Sequence, residues 1–171
     1  MYRRRWHFGI CIIAITLIYI WNNSLQSAIV SNGQSKRVLE VIEEVFRTPP
    51  LDTEEAQRIV RKAAHVLEFA LLGLEMALLL YFTGKMRRQN LMAIFFIGLA
   101  SAVMDETIQV FSQRGSQVMD IWIDFAGFAS GIGITLVAYT LFSKVLIHTR
   151  KQKHTDIDNK CMYQYNNARG S

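Results

Sequence analysis

Four long apolar stretches, with the polar residues gathered into blocks between them, constrain this chain more than any other feature. A soluble domain of 171 residues cannot bury four such stretches as core helices and still cover them with polar surface. Charged residues make up 19% of the chain, below the roughly 25% of an average soluble protein, while 51% are hydrophobic. The pattern excludes a soluble enzyme. It predicts an all-α, small polytopic membrane helix bundle of four transmembrane helices plus an amphipathic interfacial helix.

The first stretch, 6–21, follows a cytoplasmic N-terminus at 1–5 that carries Arg3, Arg4 and Arg5. It is short for a span and ends at Asn22, Asn23 and Ser24. A signal peptide cleaved within residues 1–28 is the competing reading. Tryptophans at both ends, Trp6 and Trp21, favour a retained anchor, and the sequence near Ala28 makes a poor small-x-small cleavage site. Residues 22–62 form an extracytoplasmic segment with six basic and six acidic residues. Within it, Val38, Leu39, Val41, Ile42, Val45 and Phe46 recur at helical spacing opposite Glu40, Glu43, Glu44 and Arg47, as in a helix lying on a membrane. After Pro49 and Pro50, Asp52 and Glu55 read as a capping box that starts a helix running towards Arg61 and Lys62 and on into the membrane.

Residues 63–142 hold a three-helix core, with spans at 63–82, 91–111 and 118–142, each meeting the roughly 20 residues needed to cross hydrocarbon. Lys85, Arg87 and Arg88 lie between the first two of these spans, and Lys144, Arg150, Lys151 and Lys153 lie in a basic cytoplasmic tail at 143–171. These clusters and the N-terminal arginines fall on one side if the chain crosses four times, which predicts both termini in the cytoplasm. Only Arg61 and Lys62 dissent. The net charge of +5 is therefore a topology signal, and no nucleic-acid partner is expected. Cys11 and Cys161 offer neither a metal-binding spacing nor a disulfide pair.

Six of the fourteen acidic residues lie inside apolar spans: Glu68, Glu75, Asp105, Glu106, Asp120 and Asp124. A charged Asp at the centre of a membrane helix costs about 2.5 to 3.5 kcal/mol on insertion scales, so the group needs partners, protonation or water. Under the four-span topology three helices bring polar groups to the same outer half of the membrane, with Glu68, Asp105 and Asp124 roughly 10 Å below its surface. Lys62, His65, Glu68, Leu72 and Glu75 share one face of their helix, Asp105 and Gln109 another, and Asp120, Asp124, Gly127 and Gly131 a third. The glycine pair is a small-xxx-small surface for helix packing. Glu106, about 100° around the helix from Asp105, is not expected to reach the same partner. The expected pocket holds His65, Glu68, Asp105, Asp120 and Asp124, with Arg114 and Lys62 at its mouth.

The combination K-x-x-H-x-x-E from Lys62 to Glu68, D-E-x-x-Q from Asp105 to Gln109, Arg114, and D-x-x-x-[ND]-x-x-G-x-x-x-G from Asp120 to Gly131 resembles the VanZ-like membrane proteins. The resemblance covers about residues 60 to 135. Phe69 stands where the pattern has Tyr, and Asp124 where Asn is usual. It implies a multi-pass bacterial membrane protein of a family whose namesake is linked to teicoplanin resistance, and it supplies no biochemical mechanism.

The plain alternative for His65 is a buried histidine tying helices together, and for the carboxylates an interhelical lock with Lys62 or Arg114. Three functional classes stand beside it. The first is a protein acting on a cell-envelope lipid or a glycopeptide antibiotic at the outer leaflet, with carboxylates for cations and Arg114 or Lys62 for phosphate. The second is a membrane-embedded enzyme working on a lipid-linked head group, in which His65 and carboxylates hold a divalent metal, although no strict ligand motif supports one. The third is a proton- or cation-coupled transporter, for which no inverted repeat is visible. A homodimer would supply what one small chain lacks.

Overall fold

In the computed structural model, residues 2–26, 28–47, 54–112 and 117–169 are described, with side chains given for all but 2–5, 28, 29, 46 and 145–169. Five helices follow one another: α1 (Tyr2–Leu25), α2 (Ala28–Phe46), α3 (Glu54–Phe82), α4 (Arg88–Phe111) and α5 (Val118–Arg169). Among the described residues there is no strand. Four helices are long and apolar enough to cross a membrane, over Trp6–Leu25, Glu54–Phe82, Arg88–Phe111 and Val118–Lys144. The chain divides into two compact units, Met1–Thr135 and Leu136–Ser171. In the second, α5 continues through the basic segment to Arg169.

The first helix runs beyond Trp21 because the residues that read as its polar end, Asn22, Asn23 and Ser24, remain helical. Ser24 is fully buried, on the same face as buried Ile20 and Thr16, and this face packs against α3 and α4. The opposite face exposes Phe8, Ile15 and Ile18, as a lipid-facing surface does. The second helix packs on α3 through Ser31, Ser35 and Leu39, one residue per turn. Of its apolar stripe, Val38, Val41 and Val45 are exposed.

The continuous α3 covers both the charged run from Glu54 to Lys62 and the apolar span after it. Its acidic first turn, Glu54 and Glu55, suits the positive end of the helix dipole. Asp52 lies outside the described residues. The helix ends in a Schellman turn: Gly84 takes φ 65°, its N–H donates to the Tyr81 carbonyl, and the Lys85 N–H donates to the Leu80 carbonyl.

Close approach of α5 to α3 depends on missing side chains. A Cβ at Gly127 would meet the Val66 carbonyl, one at Gly131 the Ala70 carbonyl, and one at Gly73 the Phe128 carbonyl. The ring of Phe128 fills the space left by Gly98 of α4 and is fully buried, edge-on to Phe95 at 6.4 Å between centroids. Lipid tails give no hydrophobic incentive for helix association, so such backbone-to-backbone contact is a main source of packing energy here.

Candidate functional site

The packed helices bring a polar layer together just inside the end of the bundle that carries the first turns of α3 and α5 and the last turns of α4. From α3 come Lys62, His65 and Glu68, spaced by threes along one face. From α4 come Asp105, Glu106 and Gln109, which are 0%, 3% and 7% exposed. From α5 come Asp120 and the buried Asp124. Arg114, expected at the mouth, lies outside the described residues.

Asp105 is held on every side. The Ser24 hydroxyl donates to its Oδ1 at 2.6 Å, the Gln109 amide donates to its Oδ2 at 2.9 Å, and His65 Nδ1 stands 3.7 Å from Oδ2. The same Gln109 nitrogen donates to Glu106 Oε1 at 3.0 Å. The expectation that Asp105 and Glu106 cannot address one partner is thus corrected. Gln109 sits four residues after one and three after the other, so its amide falls between the two carboxylates.

The remaining carboxylates have different neighbours. Asn23 donates to Glu68 Oε1 at 2.8 Å, and Lys62 pairs with Asp120 at 2.5 Å. Two turns deeper on α3, Thr16 donates to Glu75 Oε1 at 3.0 Å. Asp124 is 2% exposed, and its Oδ2, like Oε2 of Glu75, has no hydrogen-bond partner. One ring nitrogen of His65 and one carboxylate oxygen each from Asp105 and Asp124 lie within 4.8 Å of one another, a grouping able to hold a metal ion.

Above this layer opens a cleft of about 430 Å³. His65, Glu106, Gln109, Ile123 and Asp124 form its floor, Lys62 and Asp120 its wall, and Glu54, Arg58, Arg61 and Gln117 its rim. Asn32 of α2 completes the rim and accepts a hydrogen bond from Arg61 at 2.8 Å. Glu68 and Asp105 lie beneath the floor rather than in the lining. The cleft therefore sets Arg58 and Arg61 beside Glu54 at its rim and the carboxylates of Glu106, Asp120 and Asp124 further in, with Lys62 between, a mixture of charges suited to a ligand bearing both an anionic and a cationic group.

The sequence of the family described as VanZ/LLP1 matches this chain over residues 7–141. The chain belongs to the VanZ/LLP1 family. No curated protein and no solved structure matched it. The family match extends well beyond the motif region of α3 to α5 and takes in nearly all of α1, the helix that supplies Thr16, Asn23 and Ser24 to the buried carboxylates. Sequence reasoning missed these three donors. The available signal was their spacing, with Asn23 and Ser24 seven and eight residues after Thr16, two turns along the helix from a hydroxyl set in an apolar run.

Proposed function

We propose that this VanZ/LLP1 membrane protein acts at the outer leaflet of a bacterial cell membrane, on or near a cell-envelope molecule, and lowers susceptibility to the glycopeptide teicoplanin. The observation that carries the proposal is the cleft, with Arg58 and Arg61 at its rim and Glu106, Asp120 and Asp124 further in. Its volume lies within the range of small-ligand sites, about 300 to 1,000 Å³. An envelope lipid head group or a glycopeptide with separated charges would set an anionic group against the arginines and an amine against the carboxylates. The basic clusters at the other ends of the spans favour cytoplasmic termini, and that orientation turns the cleft outward. The packing of α1 against α3 and α4 supports its retention as an anchor.

The test is teicoplanin susceptibility in a bacterial host expressing the chain and its variants at matched membrane levels. Asp120→Asn keeps the shape of the side chain but removes the charge that faces Lys62, and His65→Ala empties part of the floor. Both should abolish protection, whereas Glu43→Gln combined with Glu44→Gln on α2 should not. Equal protection by the cleft variants and the unaltered chain would show the cleft to be structural only.

A further inference from the structure

We infer that His65, Asp105 and Asp124 form a binding site for a divalent transition-metal ion of the Zn²⁺ class. The inference does not depend on which envelope molecule enters the cleft. Its geometric basis is that three ligand atoms from three different helices lie within 4.8 Å of one another. Tetrahedral coordination with bonds of about 2.0 Å places ligand atoms about 3.3 Å apart, so modest side-chain rotations close the set.

A second observation points to a ligand. Asp124 Oδ2 is buried and has no hydrogen-bond partner, an arrangement that native interiors rarely leave without an ion or water. Asp124 also lines the cleft beside Glu106, while the nearest lysine, Lys62, is paired with Asp120, so a cation there would offset the buried carboxylates. Asp105, by contrast, is oriented for coordination. Ser24 and Gln109 each fix one of its oxygens, as the outer partners of metal-bound carboxylates do, and every carboxylate oxygen keeps a second lone pair for an ion.

The donor set selects the metal. One imidazole nitrogen with two carboxylate oxygens suits Zn²⁺ and its neighbours better than Mg²⁺ or Ca²⁺, which prefer all-oxygen shells. Three protein ligands leave at least one coordination position, and His65 and Asp124 both line the cleft, so that position opens towards it. There the ion would bind water or an anionic oxygen of a bound molecule.

The experiment uses the full chain, purified in phosphatidylcholine nanodiscs, loaded with ZnCl₂ in the presence of excess Mg²⁺, desalted and analysed for bound metal. About one Zn²⁺ per chain is expected. His65→Ala and Asp124→Asn should each lower Zn²⁺ affinity by roughly 100-fold or more, a loss at least as large as those of outer-partner changes. Zinc retained equally by both variants sits on other groups and overturns the site, as does an unaltered chain that holds none. Because a variant can fail to fold, Co²⁺ is added to the unaltered chain as an independent readout. A visible absorption that saturates at one equivalent and is displaced by Zn²⁺ supports nitrogen–oxygen coordination, and its absence at saturating Co²⁺ overturns it. Head-group binding or antibiotic protection can fail while this metal result stands, so the two proposals are separable.

Discussion

Ser24 and Asp105 stand 81 residues apart in the chain and meet at 2.6 Å, both fully out of contact with solvent or lipid. The hydroxyl is the direct link between α1 and the most buried carboxylate of the layer. Ser24→Ala removes the donor and leaves Asp105 Oδ1 unsatisfied. Interhelical hydrogen bonds in membranes average about 0.6 kcal/mol and reach about 1.7, and a fully buried acceptor without its donor falls at the upper end. We expect a loss of about 1–2 kcal/mol, read as a lower midpoint of thermal unfolding in detergent. In a double-mutant cycle with Asp105→Asn the coupling should exceed about 0.5 kcal/mol, and additive effects would remove Ser24 from this role.

The glycines of α5 offer a matched pair. Gly131→Ala places a methyl group into the Ala70 carbonyl of α3, whereas Gly133→Ala meets nothing within 4 Å. The first change should destabilise the bundle by about 1–3 kcal/mol through overpacking. The second should be neutral or stabilising by up to about 1 kcal/mol, the helix preference of Ala over Gly. Fluorescence-detected gel filtration after heating will rank the two variants, and a reversed order would refute the α3–α5 contact.

Lys62 and Asp120 are partly open to the cleft, with 35% and 20% of their side chains exposed. Solvent screening limits such a pair to less than about 1 kcal/mol of stability. Lys62→Met should therefore unfold near the temperature of the unaltered chain and yet lose protection in the susceptibility assay. A large fall in stability with no change in protection would make the pair a structural lock.

The orientation of the bundle can be read from both sides of the membrane. A cysteine at Gln117, exposed at the cleft rim, should react with an impermeant maleimide added to intact cells, and one at Gln152 should react only after permeabilisation. Cys11 is replaced by Ser and Cys161 by Ala in this background. Labelling of Gln117→Cys from the cytoplasmic side alone would place the cleft inside the cell and refute an outer-leaflet role.

The spans were legible because uninterrupted apolar runs have few other folds open to them, and the intramembrane acids stood out because such groups are costly there. Helical spacing also places Lys62, His65 and Glu68 on one face, of which Lys62 and His65 line the cleft. The α1 donors were harder to see. Thr16 sits inconspicuously in an apolar helix, and Asn23 and Ser24 look like its polar end until Glu68 and Asp105 are seen to require them. The two-way bond of Gln109 was hidden for another reason: an angular separation on a helical wheel measures where side chains leave the backbone, not how far a long amide can reach. Arg58 and Arg61 carried no sign of their place at the cleft rim, because that depends on how α2 and α5 approach α3.

The uninterrupted course of α3 makes it a rigid ruler against the bilayer. Its 29 residues span about 43 Å, whereas the hydrocarbon layer is about 30 Å thick. With the apolar part from Ala63 to Phe82 matched to that layer, Arg61 projects by about half a turn and Arg58 by about one and a half turns into the head-group zone, at a height fixed by the helix rather than by a loop. Lipid composition thus becomes a control on access: a thicker membrane draws the arginines down towards the acyl chains, and a thinner one lifts the cleft rim clear of the phosphates.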